Sequence, residues 1–158
     1  MFCRDIMYDN PHTVRADAPL AEAMALLMDR HIQEIFVIDE QQVYLGELTA
    51  IQLTKILLPP DQSGLPHFGS ESHAQAAKDR QISDLQARLQ PYLHRPVKNY
   101  MDTNLPIVQP DTPFADALLL LRGGILRLPV VEQASRKLVG SISVLSVLGA
   151  IDAKSIKP

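Results

Sequence analysis

Val14-Arg15-Ala16-Asp17-Ala18-Pro19-Leu20-Ala21-Glu22-Ala23 returns further along the chain as Val108-Gln109-Pro110-Asp111-Thr112-Pro113-Phe114-Ala115-Asp116-Ala117. The offset is 94 residues, and at that offset residues 4–58 lie over residues 98–152 without a gap. Met7, Asn10, Leu26, Leu27, Val37 and Gly46 meet Met101, Asn104, Leu120, Leu121, Val131 and Gly140. A repeat of this length implies one small unit used twice. Two such copies share a core, and the cleft between them is the natural place for a ligand.

The bulk numbers agree with a small globular protein. The chain has 158 residues, 46% of them hydrophobic and 21% charged, which is enough for one domain or two fused half-domains. A net charge of −3 lacks the basic footprint of a nucleic-acid binder. A single cysteine, Cys3, excludes an internal disulfide and leans towards a reducing compartment. The first residues lack the charged and apolar regions of a secretory signal. No stretch approaches the ~20 apolar residues that would span a bilayer. The expectation is a cytoplasmic chain with no membrane insertion and no nucleic-acid partner.

Each copy reads as β-α-β-β-α. A short extended piece comes first, Thr13-Val14 or Ile107-Val108. Asp17-Ala18-Pro19 and Asp111-Thr112-Pro113 then start a helix, since proline suits the first turn and Thr112 is placed to cap it. Leu20, Ala23, Met24, Leu27 and Met28 form one apolar stripe, and Phe114, Ala117, Leu118 and Leu121 the other. Gly123-Gly124 predicts a left-handed stop. Apolar strands at 35–38 and 43–48, and at 128–131 and 137–142, flank polar turns and predict hairpins. Helices at about 50–58 and 144–152 close the units. The fold class is therefore α+β: repeat one at 4–58, repeat two at 98–152, packed with pseudo-two-fold symmetry.

Residues 59–97 form an insert. Pro59-Pro60 breaks the preceding helix. Residues 59–73 read as a loop and about 74–90 as a helix, with Ile82, Leu85, Leu89 and Tyr92 on one narrow seam. That seam lies on the protein's own core, or it meets a partner; the first is the commoner use of a surface helix.

The ordered features now assembled resemble a stand-alone tandem pair of cystathionine-β-synthase (CBS) domains, a Bateman module. They are Met7 and Met101, Asp-x-Pro twice, Leu128-Pro129-Val130-Val131, and Gly46-Glu47-Leu48-Thr49 with Gly140-Ser141-Ile142-Ser143. The resemblance covers both repeats but not the insert. It implies a regulatory module rather than an enzyme, binding AMP, ADP, ATP or S-adenosylmethionine between the repeats as a regulatory ligand, with no cofactor required. It also implies a homodimer in the form of a four-domain disc, signalling to an unknown effector protein or through its own oligomeric state.

The family's ligand motif, Gly-h-h-Thr/Ser-x-x-Asp, maps its hydroxyl onto Thr49 and Ser143. A hydroxyl at a helix N-terminus suits a phosphate. The motif's ribose-binding aspartate is replaced by Gln52 and Ser146. A neutral acceptor makes hydrogen bonds of about 0.5–1.5 kcal/mol, against about 1.5–3 for a charged one. Leu126-Arg127-Leu128-Pro129-Val130 resembles a segment that supplies His-Arg to nucleotide phosphates in other members, with the arginine kept and Leu126 in place of the histidine. The counterpart stretch, Ile32-Gln33-Glu34-Ile35-Phe36, holds no basic residue, and Glu34 would repel phosphate. The resemblance thus implies a working cleft around Arg127 and Ser143, with Thr13, Val14, Ile107 and Val108 walling the adenine pockets and Ile35, Phe36, Leu128 and Pro129 beside them. Taken singly, Arg127 reads equally as a paired surface cation, and Thr49 and Ser143 as ordinary caps.

Other chemistries find no support in the sequence. His12, His31, His67, His73 and His94 have no metal-ligand spacing. There is no phosphate-binding Gly-rich loop and no nucleophile elbow. Cys3, near a chain end, has no evident base. The alternative to a nucleotide sensor is a non-liganded dimerisation or protein-interaction module whose clefts are filled by side chains.

Overall fold

A computed structural model describes residues 1–57 and 82–155. Repeat one contains β1 (Thr13–Arg15), α1 (Leu20–Arg30), β2 (Glu34–Ile38), β3 (Tyr44–Thr49) and α2 (Ala50–Leu57). From the insert, α3 spans Ile82–Leu89. Repeat two contains α4 (Phe114–Arg122), β4 (Arg127–Val131), β5 (Leu138–Ser143) and α5 (Val144–Ser155). The expected loop 59–73, and the part of the expected insert helix before residue 82, lie outside the described residues.

In repeat one, β2 pairs with β1 in parallel and with β3 antiparallel. In repeat two, β4 and β5 form the same hairpin, but the extended piece shrinks to a single parallel bridge between Val108 and Val130. Chemistry at one position accounts for part of the loss. Phe36 donates its N–H to the His12 carbonyl, whereas its counterpart Pro129 has no N–H to give.

Phe36 and Pro129 are counterparts because the repeat is not gapless. Glu34 stands opposite Thr49 in its hairpin, and Arg127 stands opposite Ser143. The offset is thus 94 residues in the second hairpin strand and 93 in the first. The sequence pairing of Val37 with Val131 is corrected to Val37 with Val130, and Arg127 becomes the counterpart of Glu34 rather than of Gln33. The slip arises where the first helices end. α1 has 11 residues and stops at His31 in the left-handed conformation, while α4 has 9 and stops at Gly123, with Gly124 at φ 100°. The expected glycine stop is therefore at Gly124 in repeat two, and a histidine does that work in repeat one.

The expected cap at Thr112 is also revised. The N-cap position of α4 belongs to Pro113, and the Thr112 hydroxyl accepts the Gln109 N–H at 2.8 Å instead, closing the turn that precedes the helix.

The repeats are joined by exchange. A 3₁₀ turn at Cys3–Asp5, ahead of repeat one, packs into the core of repeat two with Val108, Ala117, Leu128 and Ile142. The matching turn at Val97–Asn99 packs into the core of repeat one with Val14, Leu20, Val37 and Leu48. Main-chain bonds secure each: Cys3 N–H to Thr112 carbonyl, and Val97 N–H to Ala18 carbonyl, both 2.9 Å. Cys3 is fully buried, and burial followed by the charge of Asp116 pushes its thiol above the ordinary range. It is a core residue and not one at a loose end. The sulfurs of Met7 and Met101 close over Gly140 and Gly46, where a Cβ would lie within 2.8 Å and 3.2 Å of them.

The hairpin turns meet at the pseudo-two-fold axis. Tyr44 donates its N–H to the Arg136 carbonyl and Leu138 donates to the Gln42 carbonyl, each at 3.0 Å. Helix α3 lies beside α2, where Arg88 donates to the Leu57 carbonyl at 3.3 Å, and Tyr92 packs on the repeat-one core.

Candidate functional site

Arg127 opens β4, at the seam between the repeats. Its Nε donates to Glu34 Oε1 at 3.1 Å, and Nη1 reaches Ser141 Oγ at 3.4 Å. Side-chain exposure is 27% for the arginine and 11% for the glutamate. The pair therefore links counterpart positions of the two repeats with opposite charges, at low exposure. The cavity beside it is lined by His12, Ile32, Glu34, Phe36 and Arg127 and holds about 10 Å³, room for about one water. Four of those five residues come from repeat one, so Arg127 is delivered across the seam.

Glu47 lies just behind this pair. It is 6% exposed, and its backbone bridges that of Asp102 through bonds of 2.9 and 2.7 Å. Burial first, and then the charges of Glu34 and Asp102, push its carboxyl up to about 7, while Arg127 acts in the opposite direction. The Tyr44 hydroxyl is buried without a hydrogen-bond partner among the described residues, and burial with Glu47 and Asp102 raises its proton affinity too.

The helix N-termini expected to meet a phosphate are internally satisfied. Gln52 N–H donates to Thr49 Oγ1 at 3.2 Å, and the Gln52 carboxamide accepts the Thr49 N–H at 2.7 Å. This reciprocal arrangement is a capping box. Ser143 and Ser146 repeat it with bonds of 3.3 Å. The residues standing where the family has aspartate thus spend their side chains on the helix.

The remaining sequence-selected residues separate. Val14 and Ile35 belong to the core of repeat one, and Val108 and Leu128 to that of repeat two. Pro129 is fully buried, while Thr13 and Ile107 are half-buried. Of the thirteen selected residues, Phe36 and Arg127 line the seam cavity together. His12 and Ile32 join them, and so does Glu34, which the sequence marks only as a repellent of phosphate. A charged residue opening an otherwise apolar strand was the available signal. A second, open cavity of about 170 Å³ lies between α1 and α2, lined by Met24, Leu27, Met28, Ile32, Gln33, Ala50 and Leu53. Among the described residues no group of acids, histidines and cysteines is placed to hold a metal ion, and no helix is long and apolar enough to cross a membrane.

No curated protein matches the sequence. Among solved structures, CBSX2 in complex with AMP is 23% identical over 98% of each chain, with a TM-score of 0.68. The CBS-pair protein CBSX2 from Arabidopsis thaliana is 21% identical over 99% of this chain and 98% of that one, with a TM-score of 0.71. The CBS domain pair of MJ0100, in complex with 5'-methylthioadenosine and S-adenosyl-L-methionine, is 18% identical over 96% and 99%, with a TM-score of 0.61. At these identities the likeness is one of fold. The CBS domain family model matches twice, at residues 3–59 and 97–153. With both repeats matched and the reciprocal packing they show, the chain belongs to the CBS domain family, as a tandem pair.

Proposed function

We propose that this chain is a non-catalytic regulatory module that takes an adenosyl ligand, an adenine nucleotide foremost, in the seam beside Arg127. The observation that carries the reading is the Arg127–Glu34 pair. A guanidinium is a planar fork suited to phosphate, and here it is brought into a cleft otherwise walled by the other repeat. Glu34 occupies it as an internal anion, so a ligand phosphate competes with a carboxylate for the same donors. The AMP complex of CBSX2 and the methylthioadenosine and S-adenosylmethionine complexes of MJ0100 support the ligand class. Occupancy spreads the repeats, and the change passes to an effector protein or to the assembly of the chain. A ligand shifts that equilibrium by its differential affinity for the two states.

A homodimer fits the exposed apolar side chains of the helices: Met28 on α1, Ile51 on α2, Leu118 and Leu119 on α4, and Leu145, Leu148 and Ile151 on α5. The setting is cytoplasmic, consistent with the lone thiol. The second reading, a non-liganded interaction module, is favoured by the capping roles of Gln52 and Ser146 and by the small volume of the seam cavity.

A thermal-shift screen with AMP, ADP, ATP, 5'-methylthioadenosine and S-adenosylmethionine separates the two. Ligand at ~100 times its dissociation constant adds about 2.7 kcal/mol of stability. A rise in Tm with one of these supports the sensor; no shift with any of them at millimolar concentration leaves the interaction module.

A further inference from the structure

Three carboxylates and one guanidinium meet where the repeats join. Glu34 on β2 is held by Arg127 of β4. Asp102, in the segment exchanged into repeat one, accepts the Asn104 N–H at 2.8 Å. Glu47 on β3 is the more deeply buried acid and faces both. The other polar groups around it are Tyr44 of β3, whose hydroxyl is raised by burial and then by the charges of Glu47 and Asp102, Ser141 of β5, and His12 at the cavity wall. One guanidinium cannot balance three ionised acids beside a carboxyl as deeply buried as that of Glu47.

We propose that this seam is a proton-sensitive latch, in which Glu47 holds the exchanged segment against repeat one while it carries a proton and loosens it once ionised. The backbone bonds between Glu47 and Asp102 are the bolt, because they join β3 to the exchanged segment directly. Repeat two supplies an internal control. Ser141 and Tyr8 make the counterpart bridge, at 2.8 and 2.9 Å, with a hydroxyl where repeat one has the acid. The latch concerns the chain itself and holds whether or not the seam takes an adenosyl ligand.

The direction follows from linkage. A carboxyl near 7 in the closed state and near its ordinary value of 4.5 when opened binds more protons closed. Closure is therefore strongest below about pH 4.5 and weakens as pH rises through about 7. Between pH 6 and 8.5 the closed state loses about tenfold in its equilibrium.

Amide hydrogen exchange on the ligand-free full chain tests this. Protection of the Glu47 and Asp102 amides, corrected for the intrinsic pH dependence of exchange, is expected to fall about tenfold from pH 6 to 8.5. The Val37 amide, inside its own hairpin, serves as reference. Glu47→Gln is expected to abolish the fall, and Glu47→Ser, which copies Ser141, gives the same reading if the amide packs poorly. Glu34→Gln removes one raising charge and is expected to move the fall to lower pH. Protection that stays level in the wild type, or that falls equally in wild type and both Glu47 variants, overturns the latch.

Discussion

Repeat one and repeat two share a backbone plan and differ in charge where they touch. Repeat one brings Glu34 and Glu47 to the seam, and Asp102 is exchanged into it. Repeat two brings Arg127 and Ser141, with Tyr8 exchanged into it. The apolar positions that build each core are matched, because both copies must bury the same strand and helix faces. The polar positions are not matched, because symmetry at a two-fold seam would set glutamate against glutamate or arginine against arginine. Opposite charges at counterpart positions turn that repulsion into an ion pair. Function is to be sought in the few positions that break the repeat.

The two repeats are least interchangeable at the arginine. Arg127→Ala leaves Glu34 and Glu47 poorly exposed with no counter-charge. A fully buried pair so broken costs about 3–5 kcal/mol, and partial exposure of the arginine lowers the expectation here to about 2–3 kcal/mol. Glu34→Ala, at the counterpart position, is expected to cost less than about 1 kcal/mol, since Arg127 keeps Ser141 and some solvent. Urea unfolding of both variants at pH 7.5 checks the asymmetry; equal losses would mean that the two positions are equivalent.

The glycines under the exchanged segments give a smaller contrast. A Cβ at Gly46 would meet the Asp102 carbonyl oxygen at 2.5 Å, which is backbone. A Cβ at Gly140 would meet the Met7 sulfur at 2.8 Å, which a flexible side chain can withdraw, and the Tyr8 carbonyl at 3.0 Å. Gly46→Ala is expected to cost about 2–3 kcal/mol and Gly140→Ala about 1–2 kcal/mol. Thermal unfolding orders them, and the reverse order would contradict the packing described.

The helix stops differ least. Gly124→Ala places a side chain at φ 100° and is expected to cost about 1 kcal/mol. His31→Gly relieves a left-handed histidine at φ 52° and is expected to gain about 0.5 kcal/mol. Tm shifts of opposite sign are expected from the two stops; a loss in both would show that the His31 side chain stabilises its turn.

The elements of both repeats are legible in sequence because they rest on local periodicity and turn chemistry. Strands at 35–38 and 128–131 and helices starting near residues 20 and 114 lie within a residue or two of those in the structure. The one-residue slip between His31 and Glu34 is not legible, because matching apolar residues at either offset satisfies a strand that is buried on both faces. That slip hid the relation of Glu34 to Arg127. The exchange of Cys3 and Val97 into opposite cores is likewise a long-range event with no local pattern. At the candidate site, Thr49 and Ser143 were marked by motif, but a hydroxyl at a helix start serves a cap as readily as a ligand. Whether Gln52 and Ser146 turn inward or outward is decided by the helix N-terminus beside them, which the motif does not report.

Calorimetric titration of AMP into the wild type, Glu34→Gln and Arg127→Met, with adenosine as the phosphate-free control, asks whether Glu34 and a ligand phosphate compete for Arg127. If the Arg127–Glu34 pair is the contested contact, AMP binds most tightly to Glu34→Gln, less tightly to the wild type and least to Arg127→Met, while adenosine affinity stays nearly level across the three. Identical AMP affinities in all three proteins, or losses for adenosine as large as those for AMP, would contradict it.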